Sequence, residues 1–578
     1  LALEYLEERC LLNGAPQQFG SADALRQYLI SNALTQYASL FGQTFSYGFG
    51  GPIRPLVDAN VPAQAYSALS APTAASSSGQ TYSLTNDQVQ GVDEGDIVKT
   101  DGTFIYDLSG QNLVIALAWP ASSLSIVSTT PLSGTPIAEY LDGSRLTILS
   151  TFYPGGAGNP TVVPEALTAD GFPLIYKSNA LTEVQVFDVS NPVDPLVLQT
   201  TFMDGSYTGS REIGNTIYVV QTNYFAGLPA PESSTFNGET IYETQAQYLA
   251  RISGHELDLA LPHFYTSTGT SGTLTPSGFL SDPAQIYEPL DTDDYNLITV
   301  VAIDDTGTAP TSTVSVMASY ASTLYMSPDN LYIAVPHWDY PNTGSTEIYQ
   351  FSVNGTQVTL NAAGSVPGQV NNQFSMDESG AYLRVATTSW SSTVTNGLYV
   401  LTPQAGQLVV TGQLENLAPG EYIEAVRFIG DFAYVSTTGY FDPLLVVNVS
   451  DPTAPALLGS STLPGFITYL QQLDATHLLG VGRVEDPSTG SYSVQIVLFD
   501  VSDASGPVAI DSYDIAPSGW DWWWGSAAEW DSHAVGYFPQ YDTLAIPIYG
   551  TYTGPDWTSF QSSLWVFNVD PSSGFTLL

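Results

Sequence analysis

The chain has 578 residues, 43% of them hydrophobic, which excludes global disorder. It sets 11 Lys+Arg against 56 Asp+Glu, a formal charge of −45 at pH 7, and so lacks the basic face needed to bind nucleic acid or an anionic membrane surface. One cysteine, Cys10, excludes an internal disulfide, Cys-rich zinc sites, CxxC redox chemistry and c-type haem.

In chain order, residues 1–64 read as a helical N-terminal segment. Ser21 is placed to cap a helix over 22–40, with Leu25, Leu29, Leu34 and Tyr37 near helical spacing. Residues 65–90 are rich in Ala, Ser, Thr and Gln, which is linker chemistry. The chain starts at Leu1, which reads as a processed or truncated terminus whose export signal, if any, has been removed or is not in this chain. No run of 18 apolar residues predicts a transmembrane helix, so the chain does not read as an integral membrane protein.

From residue 91 to 578 the pattern is β: short Val, Ile, Leu, Tyr and Phe runs between Gly, Asn, Asp, Pro and Ser turns. Val-Phe-Asp-Val-Ser-Asn-Pro (186–192) recurs as Val-Val-Asn-Val-Ser-Asp-Pro (446–452), Leu-Phe-Asp-Val-Ser-Asp-Ala (498–504) and Val-Phe-Asn-Val-Asp-Pro (566–571). A hairpin such as Arg-Glu-Ile-Gly-Asn-Thr-Ile-Tyr (211–218) recurs at 97–106 and 427–434. Units beginning near 112, 183, 297, 346, 397, 443 and 493 predict an all-β propeller. An eighth unit is expected to be split, Ser563–Leu578 pairing with Gly95–Ser109, so that the chain ends close the ring and no open edge remains. Eight blades are expected. Seven are the alternative, because the units over 112–150 and 297–336 are degenerate. Two insertions interrupt the repeat: 225–290, with a helix predicted over Glu239–Ile252, and 515–530, which is rich in Trp.

The segment 83–102 contains Asn-Asp-Gln-Val-Gln-Gly-Val-Asp-Glu-Gly-Asp. With Leu-Glu-Asn-Leu-Ala-Pro-Gly-Glu (414–421), Leu-Pro-Gly-Phe-Ile-Thr-Tyr-Leu (463–470) and Glu-Trp-Asp-Ser-His-Ala-Val-Gly-Tyr-Phe-Pro (529–539), it resembles the secreted C-terminal β-propeller domain proteins of bacteria and archaea, distant relatives of WD40 repeats. The resemblance covers 83–578 and implies an exported propeller with no set reaction. Where that family carries a second His before Ala534, this chain has Ser532, which weakens a two-His metal arrangement.

Lys99, Arg211 and Arg427 each stand three residues before a turn glycine (Gly102, Gly214, Gly430). They read either as a cationic ring holding an anion or, preferred here, as inter-blade ion pairs with Asp93, Glu94 and Asp96, because buried cations need partners. Asp93, Glu94 and Asp96, and a second knot of Asp291, Asp293 and Asp294, offer oxygens for a hard cation such as calcium; the alternative is solvated acidic turns. Asp531 and His533 read as half of an acid–base pair or as a structural bridge, the latter preferred. Trp520, Trp522, Trp523, Trp524 and Trp530 suit stacking on sugars or docking a protein, or a loop folded back on a blade. Asn354 and Asn448 fit the N-glycosylation pattern weakly.

Charged residues are 12% of the chain, about half the usual share, so neutral polar groups must coat it. That coat suits an exported protein and life at low pH. The expectation is therefore a non-enzymatic extracellular or cell-surface propeller that self-assembles, stabilised by calcium, with no haem, flavin or nucleotide. A glycan- or protein-binding module is the runner-up, and a channel-centred hydrolase or lyase comes third.

Overall fold

Runs of β-branched and aromatic residues bounded by Gly, Asp and Pro form mainly antiparallel sheets built on four-strand runs, two of which are joined in one nine-stranded sheet by the parallel pair Ala363–Gln407. The computed structural model describes residues 15–46 and most of 74–578. Residues 1–14, 47–73, 78–79, 84–86, 155–160, 163–179 and short stretches such as 225–226, 267–272, 291–295, 339–343, 516–519 and 554–557 lie outside the described residues. Cys10, Asp291, Asp293 and Asp294 fall among these.

Among the described residues the strands fall into successive runs, numbered here as units 1 to 8, over 98–131, 135–204, 206–318, 323–367, 369–417, 423–462, 466–515 and 520–577. Each runs inner, second, third and outer strand. Unit 2 is widened by His263–Thr266 and Pro276–Phe279 from the 225–290 insertion, and unit 3 is widened at its inner edge by Asp93–Glu94.

The expected split unit is not formed. Phe104–Ser109 pairs with Val98–Thr100 and Asn112–Leu117 inside unit 1, whereas Thr558–Asp570 pairs with Thr543–Thr553 and Gly574–Leu577 inside unit 8. The N- and C-terminal strands lie in different sheets. The predicted starts near 346, 443 and 493 fall at the third strands of units 4, 6 and 7, which begin at 345, 443 and 492. The frame was displaced by two strands, because a repeating sequence fixes its period but leaves its phase free.

Apolar packing joins the units in order. Separate clusters join units 1 and 2, 2 and 3, 3 and 4, 4 and 5, 5 and 6, 6 and 7, and 7 and 8. Among the described residues no cluster joins units 8 and 1. The middle strands record this in their burial. The third strands of units 2 and 3, Leu181–Asp188 and Asn296–Asp304, are buried on both faces. In unit 1, Leu113 and Ile115 are buried against unit 2, but Val114 and Ala116 are only half-buried. In unit 8, Leu544, Ile546 and Ile548 face unit 7, whereas Ala545, Pro547 and Tyr549 stay half-buried. On that same outward face Phe560 and Leu564 are 65% and 64% exposed. We call these two free faces the seam.

Helix α1 (Ala22–Gln36) starts where Ser21 accepts the Ala24 N–H at 3.0 Å, and stops four residues before the expected Leu40. Its Leu25, Leu29 and Ala33 pack on Tyr248 and Ile252 of α2 (Gln245–Ile252), Leu259 of α3 (Glu256–Ala260) and Leu297 and Met317 of unit 3. The N-terminal segment and the 225–290 insertion thus share one core. Helix α2 begins at Gln245, not Glu239: Thr244 and Gln247 form a capping box, and Glu239–Tyr242 pairs as a strand with Thr44–Ser46 and Ser233–Phe236. A hairpin, Ala74–Ser77 with Gln80–Ser83, lies within the expected linker. The Trp-rich stretch also differs from expectation. Trp520–Gly525 is the inner strand of unit 8, paired to Thr543–Thr553, because consecutive aromatics favour a pleated strand.

Adjacent residues of one strand test the seam. Ile115→Asp should destabilise by about 4 kcal/mol or more, because it buries an unpaired charge between units 1 and 2. Val114→Asp should change stability by less than about 1 kcal/mol. Equal losses in denaturant titrations would mean that both faces are packed.

Candidate functional site

Segment 87–96 reaches the inner strands before unit 1 begins, and it brings four carboxylates with it. Asp93 and Glu94 pair in antiparallel register with Glu212 and Arg211 of unit 3. The Asp96 carbonyl accepts the Glu139 N–H of unit 2 at 2.7 Å.

Glu94, 2% exposed, is the hub. Its carboxylate accepts from Gln373 Nε2 of unit 5 at 3.1 and 3.2 Å and from the Gln88 N–H at 3.3 Å, and Arg211 Nε lies 3.5 Å away. The Arg211 guanidinium also donates to Gln373 Oε1. Gln88 Nε2 donates to the carbonyls of Gln373 and Met376 at 3.1 and 3.2 Å. Lys99 Nζ donates to Asp93 Oδ1 at 2.7 Å and to the Glu94 carbonyl at 2.8 Å, and lies over the Tyr140 ring. Arg427 of unit 6 lies over the Phe374 ring at 5.1 Å, and that ring meets Tyr469 of unit 7 at 5.7 Å. The three recurring cations are therefore all buried, and Lys99 and Arg211 have carboxylate partners.

The cation site expected at Asp93, Glu94 and Asp96 is not assembled. Asp93 serves Lys99, Glu94 serves Arg211 and Gln373, and Asp96 Oδ1 accepts the N–H of Ile97. Among the described residues no group of three or more His, Cys, Asp or Glu is placed to hold a metal ion. Asp291, Asp293 and Asp294 lie outside the described residues.

His533 sits on a short 3₁₀ turn capped by Asp531, whose Oδ1 lies 3.1 Å from His533 Nδ1 and accepts the His533 N–H at 3.0 Å. Burial works against its charge. The hydrogen bond to Asp531 and the nearby Asp96 and Glu94 outweigh burial and raise its pKa. Trp524 packs partly buried between units 7 and 8. Trp530 is exposed and meets Tyr549 at 5.8 Å, and Tyr549 stacks on Phe560 at 6.0 Å, along the unit 8 side of the seam. The side chains of Trp520, Trp522 and Trp523 lie outside the described set.

Sequence reasoning missed Gln373, Arg384, Asp377, Glu139 and Glu212. Asp377 carried a usable signal: it stands three residues before Gly380, at the offset occupied elsewhere by Lys99, Arg211 and Arg427, and it pairs with Arg384. Gln373 carried none, since its partners are remote in the chain.

The interior holds protons into the neutral range. Burial, then the charges of Asp93 and Glu94, pushes Asp87 up to about 8. Burial and Asp93 push Glu212 up to about 8, and burial takes Glu183 to about 7. Burial and Asp142 take Asp305 to about 6. Glu139, fully buried, lies well above the ordinary range for the same first reason. Turn aspartates behave oppositely. Asp188, Asp451, Asp500, Asp503 and Asp570 are lowered by hydrogen bonds from the Ser or Thr two residues on.

Successive β-sheets packed face to face define a β-repeat protein of the propeller class. The chain belongs to the β-propeller domain family, whose profile matches residues 82–578. It is 27% identical over 511 residues to an uncharacterized protein of Methanocaldococcus jannaschii, covering 81% of this chain and 74% of that one. It is also 27% identical over 548 residues to an uncharacterized protein of Archaeoglobus fulgidus, covering 86% and 80%. Sqt1 of Chaetomium thermophilum overlaps loosely, with a TM-score of 0.32, 14% identity, and coverage of 49% of this chain and 66% of that one. Among the described residues no helix is long and apolar enough to cross a membrane.

Two predictions follow from the centre. Glu94→Ala should cost about 3–5 kcal/mol, because Arg211 is left buried without its carboxylate. Adding Arg211→Met should restore part of that loss, and an additive double-mutant cycle would show the pair to be uncoupled. The second concerns pH. Asp87, Glu212, Glu183 and Asp305 bind protons more tightly folded than unfolded, so their contribution is fully present below the ordinary carboxylate range and is lost as pH rises through about 6 to about 8. The turn aspartates contribute above that range and lose their contribution as pH falls through their lowered values. The melting temperature should therefore fall between about pH 5 and about pH 8.5 at constant ionic strength; a rise over that window would contradict the assignment.

Proposed function

We propose that this propeller is a non-enzymatic, exported surface component that assembles with copies of itself through the seam. The observation that carries the reading is the pair of free apolar faces on units 1 and 8. They have the same construction as the surfaces that pack in the seven internal interfaces, so unit 8 of one copy fits unit 1 of the next. Such a contact is heterologous and extends into a chain or sheet unless its rotation closes. Tyr549, Phe560 and Leu564 on one side and Val98, Ile105 and Val114 on the other are apolar anchors, with Asp107 in register between Val98 and Val114.

A charge of −45 opposes the approach of copies at neutral pH. Acid, or a divalent cation such as calcium at the outer carboxylates, relieves that repulsion. The internal seating of Lys99, Arg211 and Arg384 leaves the outer surface more acidic still.

Light scattering and negative-stain imaging should show assembly at about pH 5, or at neutral pH with millimolar-range calcium, and dispersal by a chelator at neutral pH. Leu564→Asp should block assembly without lowering the melting temperature. A wild-type monomer under every condition, or assembly indifferent to Leu564→Asp, would overturn the proposal.

A further inference from the structure

A second pair of exposed aromatic rings lies far from the seam. Trp338 follows directly on the second strand of unit 4 (Asn330–His337), and Trp390 ends the second strand of unit 5 (Tyr382–Trp390). Two neighbouring units therefore present an indole at the same end of the same strand position. The rings are 62% and 43% exposed, with centroids 5.8 Å apart and planes inclined by 34°. Neither ring is part of an apolar core cluster.

The backbone beneath them is fixed. Gln369 Nε2 donates to the carbonyls of His337 and Ser345 at 3.1 and 2.9 Å, which ties unit 5 to the residue before Trp338. Thr346 Oγ1 donates to the Gly368 carbonyl and Thr387 Oγ1 to the Pro367 carbonyl, each at 2.7 Å. Gly344 packs beside Trp338, and an added Cβ there would lie 2.7 Å from both Gln369 Nε2 and the His337 carbonyl. The pair is a rigid platform set across the junction of units 4 and 5.

Charge selects the ligand class. The chain's excess of carboxylates repels acidic polymers. Glu347, on the strand paired with Asn330–His337, is buried and already holds His337 Nε2 at 3.3 Å and the Tyr349 hydroxyl at 2.8 Å. Two exposed indoles side by side suit an uncharged ligand with one apolar ring face and a polar perimeter. Indole faces stack on such C–H surfaces, and the neighbouring Ser389, Thr388 and Gln369 give the junction a neutral polar setting.

We infer that Trp338 and Trp390 form a binding platform for a neutral carbohydrate, stacking on the apolar faces of its pyranose rings. This site is separate from the seam and does not depend on self-assembly. Recognition of a neutral saccharide would let a surface-located propeller hold a glycan on one end of its toroid while the seam engages its neighbours.

The test uses the full chain carrying Leu564→Asp, at neutral pH, with cellohexaose, maltohexaose, chitohexaose and mannohexaose as probes and heparin and polylysine as charged controls. Tryptophan fluorescence and calorimetry should show saturable binding of at least one neutral hexasaccharide. Trp338→Ala and Trp390→Ala should each weaken it by about tenfold or more, with the melting temperature unchanged because both rings are exposed. Trp390→Phe should retain part of the affinity. Binding of none of the four, binding unaffected in the double Ala variant, or a preference for heparin or polylysine would overturn the inference. Failure here leaves the seam reading standing, because the background is already blocked at the seam.

Discussion

A four-stranded sheet with two apolar faces has to cover both, and the structure follows from how this chain meets that requirement. Units 2 to 7 each lie between two neighbours, and their middle strands are buried on both faces. Units 1 and 8 have one neighbour each in the described set, and their middle strands alternate between buried and half-exposed residues. The expectation that interleaved chain ends would close the ring fails on strand pairing. Among the described residues, units 1 and 8 instead each leave one face without a packed neighbour.

The second constraint is the scarcity of cations. With 11 Lys and Arg in the chain, burying Lys99, Arg211, Arg384 and Arg427 takes a large part of the positive charge into the interior. Lys99 and Arg211 hold segment 87–96 across the inner strands, with Glu94 bridging units 3 and 5 through Arg211 and Gln373. The same carboxylates that anchor the segment raise one another's proton affinity, as Asp87 and Glu212 show. Mechanical anchoring and a preference for mildly acidic conditions have one origin: a dense group of acids buried around few bases.

The surface divides into regions of different use. The turn aspartates 188, 451, 500, 503 and 570 sit in repeated Asp-x-Ser/Thr turns and keep their charge to low pH. The seam is largely apolar, with Asp107 in register between Val98 and Val114. The Trp338–Trp390 platform is aromatic with neutral polar neighbours. These surfaces lie on different units of the repeat scaffold.

The sequence by itself determined the β class, the repeat period, the capped helix at Ser21 and the special role of the 83–102 motif, because these depend on residues close together in the chain. It also flagged Lys99, Arg211 and Arg427 through their common offset from a turn glycine. It could not determine the phase of the repeat, since starting a unit at its third strand or at its first satisfies the same periodicity. That choice rests on hydrogen bonds such as those joining Phe104–Ser109 to Val98–Thr100. Only the tertiary structure decided that Gln373 meets Glu94, that α1 shares a core with the 225–290 insertion, that Trp520–Gly525 is a strand, and that Trp338 stands beside Trp390. These are contacts between residues remote in the chain, and their partners are chosen by how whole sheets pack rather than by any local pattern.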